Sequence, residues 1–264
     1  MPMGKLAKFL VVGVVLLFSS LGGMAQQKDS AKSKHRHRDS AASGFLIELS
    51  YAGQLPGGNL AQMFGFNSNG QGGVYYKTES NWLYGASFSY IFGNQLRNPN
   101  LLDSIATTNG NLIANDGNYP GVSYFERGFD IQLIVGKLFP VSKNRNSGIL
   151  FTLSEGYIQH HIDIETPSDW TPQVTGDYLQ GYQHLTAGVC TTEFLGYQYI
   201  SKKQYVAFFA GFEFTEAWAK SLQFDFQSET KDPNYKFEML SSIRVGWILP
   251  ILQENTKKLT FYTH

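Results

Sequence analysis

The stretch Phe237–Ile251 reads FEMLSSIRVGWILPI, and its alternation decides the fold. From Met239 on, Met239, Ser241, Ile243, Val245, Trp247, Leu249 and Ile251 share one face of an extended strand. Leu240, Ser242, Arg244, Gly246, Ile248 and Pro250 share the other. The first face is almost wholly apolar. The second mixes a charge, a hydroxyl and a glycine. A water-soluble sheet turns its apolar face to a protein core, whereas a membrane barrel turns it to lipid and keeps the mixed face for the lumen.

Working outward from this strand, the same period of two recurs along the chain. Trp82, Tyr84, Ala86, Phe88, Tyr90 and Phe92 oppose Leu83, Gly85, Ser87, Ser89, Ile91 and Gly93. So many aromatics on one face cannot all fill a small interior, so lipid is their natural contact. Further strands are expected at Phe45–Ala52, Gly73–Thr78, Gly128–Pro140, about Gly148–Ile164, about Thr186–Ile200 and Tyr205–Thr215. Two outward-phase residues break the pattern. Lys137 lies near a strand end, where its stem can reach the interface. Glu155 shares a face with Ile149, Phe151, Leu153 and Tyr157, and a bulge, a proton or a partner must accommodate it.

The count is eight strands. Their connections alternate long and short, with the short ones at 79–81, 141–147 and 201–204. Gly53–Gly72, Asn94–Arg127, Glu165–Gln180 and Ala217–Asn234 are the long ones, with a helical turn expected over Asn59–Phe64. Long loops at one end and tight turns at the other mark an antiparallel up-and-down transmembrane β-barrel, an all-β fold. A soluble secreted β-sandwich is the competing architecture. It has no reason to alternate connection lengths in this way.

The ends carry different information. Lys5 and Lys8 precede the apolar run Phe9–Leu17, and Gly23-Met24-Ala25 supplies small residues before a cut, so residues 1–25 read as a signal peptide. Residues 26–43 (QQKDSAKSKHRHRDSAAS) have no apolar period and read as a disordered periplasmic leader. His35 and His37 alternate with arginines there, which suits a solvated basic segment better than a metal site. The barrel is expected over 44–251 and a periplasmic tail over 252–264. Lysines and arginines number 21, as do acids, and loss of Lys5 and Lys8 leaves a formal charge of −2 (19 against 21), so nothing points to nucleic acid. With 20 Phe, 15 Tyr, 4 Trp and 27 Gly, the composition fits aromatic girdles on glycine-softened strands. The single cysteine, Cys190, permits no intrachain disulfide and no lipid anchor after the cut, and it reads as a small packed residue.

This layout resembles the small eight-stranded bacterial outer-membrane barrels of the OmpA transmembrane-domain and OmpX type. The resemblance covers roughly residues 44–251 and rests on architecture. Within the last strand, Arg244, Gly246, Leu249 and Ile251 resemble the closing-strand signal (polar-x-Gly-x-x-hydrophobic-x-hydrophobic) by which such barrels are recognised for assembly. The aromatic-rich barrel and the Gln26-Gln27 start resemble proteins of Bacteroidota. The resemblance implies a Gram-negative outer-membrane location with both termini periplasmic, contact with outer-membrane lipid, and handling by the barrel assembly machinery. Thirteen residues follow Ile251, too few for a cell-wall-binding domain.

For chemistry, Glu48, Asp130, Glu213 and Arg244 fall on the lumen phase and are expected to form a buried charge network. An eight-stranded barrel is only wide enough for side chains to fill, which disfavours an open porin-like channel. Some small barrels are similar to lipid A deacylases or palmitoyl transferases, with a Ser, a His and an acid at the membrane surface. Here His160, His161, Asp163 and Glu165 lie near one strand end, with Ser154 and Glu155 further in. Ser154 and His160 are about 20 Å apart on an extended strand and cannot form a dyad. His160 and His161 are expected to be exposed and to cap the strand. The sequence therefore reads first as a non-enzymatic structural or accessory subunit of an envelope secretion or assembly complex, with no metal and no cofactor. Partners would reach it through the loop Asn94–Arg127, the leader or the aromatic wall. A lipid-modifying enzyme is the alternative.

Overall fold

The structure, a computed structural model, describes residues 41–97, 101–166, 171–226, 230 and 232–253. The signal peptide, all but the last three residues of the leader, and the tail beyond residue 253 lie outside the described residues. Among the described residues, eight strands close into one antiparallel ring in sequence order. They are β1 (Ser43–Gly58), β2 (Asn67–Lys77), β3 (Trp82–Gly93), β4 (Ser123–Pro140), β5 (Gly148–Glu165), β6 (Thr186–Ile200), β7 (Ala207–Ser221) and β8 (Lys236–Gln253). Closure is made by β1 against β8, from Ser43↔Gln253 to Gly58↔Glu238. No sheet edge is left unpaired. Among the described residues, two short α-helices, α1 (Leu60–Met63) and α2 (Gly176–Gln180), and a 3-10 turn at Pro172–Val174 sit in connections.

Several strands run further than alternation alone suggests. β1 continues through Gly53–Gly58, and β2 starts at Asn67, so the expected loop Gly53–Gly72 shrinks to 59–66 around the expected helical turn. The reason is chemical. Asn67-Ser68-Asn69-Gly70-Gln71-Gly72 reads as a turn because it lacks apolar residues. In a barrel with a polar lumen, however, Asn67 and Asn69 are the inward residues, and both are buried and hydrogen-bonded. β4 likewise begins at Ser123 and β7 ends at Ser221.

The phase of each strand is as the alternation requires. On β8, Ile243, Val245, Trp247, Leu249 and Ile251 are exposed, while Leu240, Ser242, Arg244 and Ile248 are buried. On β3, Tyr84, Phe88, Tyr90 and Phe92 point outward, and Trp82–Tyr84 and Tyr90–Phe92 stack. Lys137 lies outward at the turn end of β4, with its ammonium over the Trp82 ring and donating to the Ser80 carbonyl at 2.7 Å. It thereby satisfies its charge at the strand margin.

The interior is filled in layers. At the end where β1 begins, β8 finishes and the short turns lie, Leu46, Tyr75, Leu83, Ile134, Leu138, Leu150, Phe194, Phe209 and Ile248 form an apolar plug. Lys77, fully buried there, donates to the Ala42 carbonyl and to Asn146 Oδ1. At the opposite end, Leu60, Phe64, Ile91, Ile158 and Ile162 meet Leu101, Leu102 and Leu112 from the 94–122 loop. That loop, expected as a long connection through which partners reach the barrel, folds part of itself over the mouth. Its leucines are the signal, since a solvated loop would gain nothing by carrying them.

Candidate functional site

Between the plugs lies the charge network. β7 and β8 pair Glu213 with Ser242, beside Arg244. The Arg244 guanidinium grips Glu213 with two donors, Nη2 to Oε1 at 2.8 Å and Nε to Oε2. Its remaining donors reach Ser50 Oγ at 3.0 Å and Asn69 Oδ1 at 3.1 Å. Asn69 Nδ2 donates to Ser89 Oγ at 2.8 Å, and Ser89 donates to Asp130, which also accepts from Gln132 Nε2 at 3.0 Å. Glu213, Arg244 and Asp130 thus form one connected chain spanning the lumen. Glu48 is buried beside Tyr75 and Arg244. All four residues read from the sequence face the same interior, around a cavity of about 40 Å³. That volume suits a few water molecules, not an ion path.

A second buried cluster was not legible. His160 faces inward, 2% exposed, with Nε2 2.9 Å from Glu238 Oε2. The expectation that it is exposed is therefore corrected: β5 keeps its phase to its end, so even-numbered residues stay inside. Only His161 turns outward, half-buried. Asn67 Nδ2 donates to Glu126 Oε2 at 2.9 Å in the same layer. Glu126 and Glu238 escaped notice because Glu126 lies just outside the limits drawn for its strand, Gly128–Pro140, and Glu238, though within Phe237–Ile251, precedes Met239, where the apolar alternation begins. Continuing the period of two by one step would have found them.

On the outside, the wall is uncharged along β1, β2, β3 and β8, short of the rims. β5, β6 and β7 differ. Glu155 and Glu193 are exposed and Glu216 is half-exposed, all outward. Glu155 pairs with Thr191, and Thr191 pairs with Glu216, while Glu193 is two residues along from Thr191. Three carboxylates therefore surround one threonine. They lie within the wall and not at its rim, since Leu153 and Tyr157 flank Glu155, and Phe214 and Trp218 flank Glu216. Register is unbroken at Glu155, from Leu133 on one side to Thr191 on the other, so no bulge re-aims it.

The chain is similar to small eight-stranded outer-membrane barrels. Neisserial surface protein A aligns with a TM-score of 0.42 and 10% identity over 78% of this chain and 97% of that one. The attachment invasion locus protein Ail of Yersinia pestis, solved with the heparin analogue sucrose octasulfate, gives 0.38 and 10% over 78% and 98%. The N-terminal β-barrel domain of Pseudomonas aeruginosa OprF gives 0.36 and 11% over 78% and 98%. No family model matches the chain, and no curated protein matches it.

The residues considered for lipid chemistry do not converge. Ser154 and His160 are both inward but six residues apart on one strand, and His160 spends Nε2 on Glu238. Asp163 faces outward 4.0 Å from Arg127. Cys190 is buried and unpaired inside the barrel. Among the described residues no group of His, Cys, Asp and Glu is placed to hold a metal.

Proposed function

We propose that the chain is a non-enzymatic β-barrel of the bacterial outer membrane, a structural or accessory subunit of an envelope secretion or assembly complex. Both termini and the short turns lie on the periplasmic side, and Arg244, Gly246, Leu249 and Ile251 in β8 serve the assembly machinery. Membrane insertion is supported by the apolar, aromatic outer wall. A role other than conduction is supported by the two plugs and the cross-linked lumen.

The observation that carries the subunit reading is the set of Glu155, Glu193 and Glu216 on the wall. A carboxylate in hydrocarbon costs on the order of 1–3 kcal/mol and is tolerated where protein covers it. Three on adjacent strands mark one sector of the barrel as a protein contact, while the remaining wall faces lipid. The test is extraction in mild detergent from outer membranes, followed by native mass measurement. A large particle with reproducible companions is expected, and the joint substitution Glu155→Gln, Glu193→Gln and Glu216→Gln should release them while the barrel still inserts. A lone barrel of monomer mass in the unsubstituted protein overturns the reading.

A further inference from the structure

The three short connections, 78–81, 141–147 and 201–206, are stapled into one platform at the turn end. Asn144 Nδ2, in the second, donates to the Ile200 carbonyl at 2.6 Å, at the foot of the third. Ser147 Oγ accepts from the Ile200 amide at 2.9 Å. Asn81 Nδ2, in the first, donates to the Arg145 carbonyl at 3.1 Å. The backbones that carry the turn side chains are therefore fixed before any ligand arrives.

The platform is basic. Its connections hold Lys143, Arg145, Lys202 and Lys203 against Glu79 alone. The four connections at the opposite end hold seven acids against Arg97 and Lys231. Lys143, Arg145 and Lys203 are exposed, and no ion pair holds them among the described residues. Apolar side chains stand beside these cations in the same turns. Val141, Tyr205 and Val206 are each more than half exposed, and the outward Phe139, Ile149 and Phe208 follow them onto the wall. Cation and hydrocarbon surface thus share one rim.

We propose that this platform binds the headgroups of anionic phospholipids in the leaflet at the turn end. The Arg145 guanidinium and the Lys143 and Lys203 ammonium groups take phosphate oxygens, while Val141, Tyr205 and Val206 enter the acyl-chain boundary. An acidic protein or a soluble polyanion would leave those apolar side chains without a partner, whereas a lipid carries phosphate and hydrocarbon together. A zwitterionic headgroup brings its own ammonium, so uncompensated cations favour a headgroup of net negative charge. The acid-rich opposite end repels such lipids and confines them to this rim. The proposal rests on the reading that the barrel spans the membrane and is indifferent to protein companions.

The probe is phosphatidylglycerol as a minor fraction in phosphatidylcholine nanodiscs holding the purified full-length protein. Lipid retained by the barrel on release is identified by native mass measurement. Enrichment of phosphatidylglycerol is expected, reduced at least about tenfold by the joint change Lys143→Gln, Arg145→Gln and Lys203→Gln. Arg97→Gln, at the opposite end, should leave it unchanged. Lys143→Gln and Lys203→Gln alone, each expected to lower it about threefold, keep the test decisive if the joint variant does not insert. Unchanged enrichment in an inserted variant overturns the proposal, as does an equal loss in Arg97→Gln. Displacement of the lipid by inorganic phosphate at matched ionic strength reassigns the rim to a free phosphate. No enrichment in an inserted barrel leaves the basic face to an acidic protein. A chain that does not enter the disc overturns the membrane reading, and this proposal with it.

Discussion

Arg244 on β8 holds Glu213 on β7 with two parallel donors, Nη2–Oε1 being 2.8 Å, and both side chains are buried. A fork of this kind satisfies two charges that the interior would otherwise penalise. Its energetic weight shows when it is broken. Glu213→Gln or Arg244→Met leaves one buried charge unpaired, and a loss of about 3–5 kcal/mol is expected. The joint change Arg244→Met with Glu213→Leu removes both charges and should recover most of that loss. Urea unfolding in a lipid or detergent host measures all three. Additive losses in the joint variant would show that the pair is not the coupled unit its geometry describes.

Gly246 faces inward on β8, and a Cβ there would stand 2.4 Å from Phe209 Cε1 and 2.7 Å from Ser50 Cβ. The Phe209 ring occupies the space that the glycine leaves. Gly246→Val should therefore destabilise the barrel by about 1–3 kcal/mol through overpacking. Gly70 on β2 is the control, since a Cβ there meets nothing within 4 Å. Gly70→Val should be near neutral, and the same unfolding assay separates the two.

The fold was legible because a barrel writes its two environments onto alternate residues. β3 and β6 have the ends the alternation gives, and β8 differs only by a residue or two at each end. Legibility failed where the inward residue was polar and the outward one small. Asn67–Gly73 has no apolar period, yet Asn67 and Asn69 are the inward groups that bind Glu126 and Ser89. Of the interior chemistry, the phase of Arg244 and Glu213 was readable, since both lie well inside strongly alternating strands. The His160–Glu238 pair was not, because Glu238 precedes the apolar run and pairing across the lumen leaves no trace in sequence spacing. The same holds for Glu155, Glu193 and Glu216. Glu155 alone broke the pattern in sequence, Glu193 and Glu216 did not stand out, and only the register of β5, β6 and β7 gathers the three.

Leu101, Leu102 and Leu112 pack into the barrel mouth, and Leu46, Leu138 and Ile248 into the opposite end. With both ends filled, the barrel should show no steady ion conductance in a planar bilayer. Replacing Leu101 and Leu102 together with serine should loosen the loop end alone, raising amide exchange in 94–122 while leaving the bilayer current at baseline, because the Arg244 layer still spans the lumen. Well-resolved conductance steps from the unsubstituted protein would contradict the filled interior.

His184 tests the loop end by pH. It lies between α2 and β6 with Nε2 3.7 Å from Asp225 Oδ1, and burial depresses its proton affinity more than the Asp225 carboxylate restores it. With a folded-state pKa below the unfolded value of about 6.5, the unfolded chain binds the proton more tightly. The contribution of this group to stability is therefore fully present above about pH 6.5 and is lost as pH falls through its lower folded-state pKa. Chemical unfolding of the protein and of His184→Gln from pH 7.5 down to pH 5 isolates the effect. The difference between the two proteins should shift toward His184→Gln as pH falls. A constant difference across that window would show that His184 takes up its proton as readily in the folded barrel as in the unfolded chain.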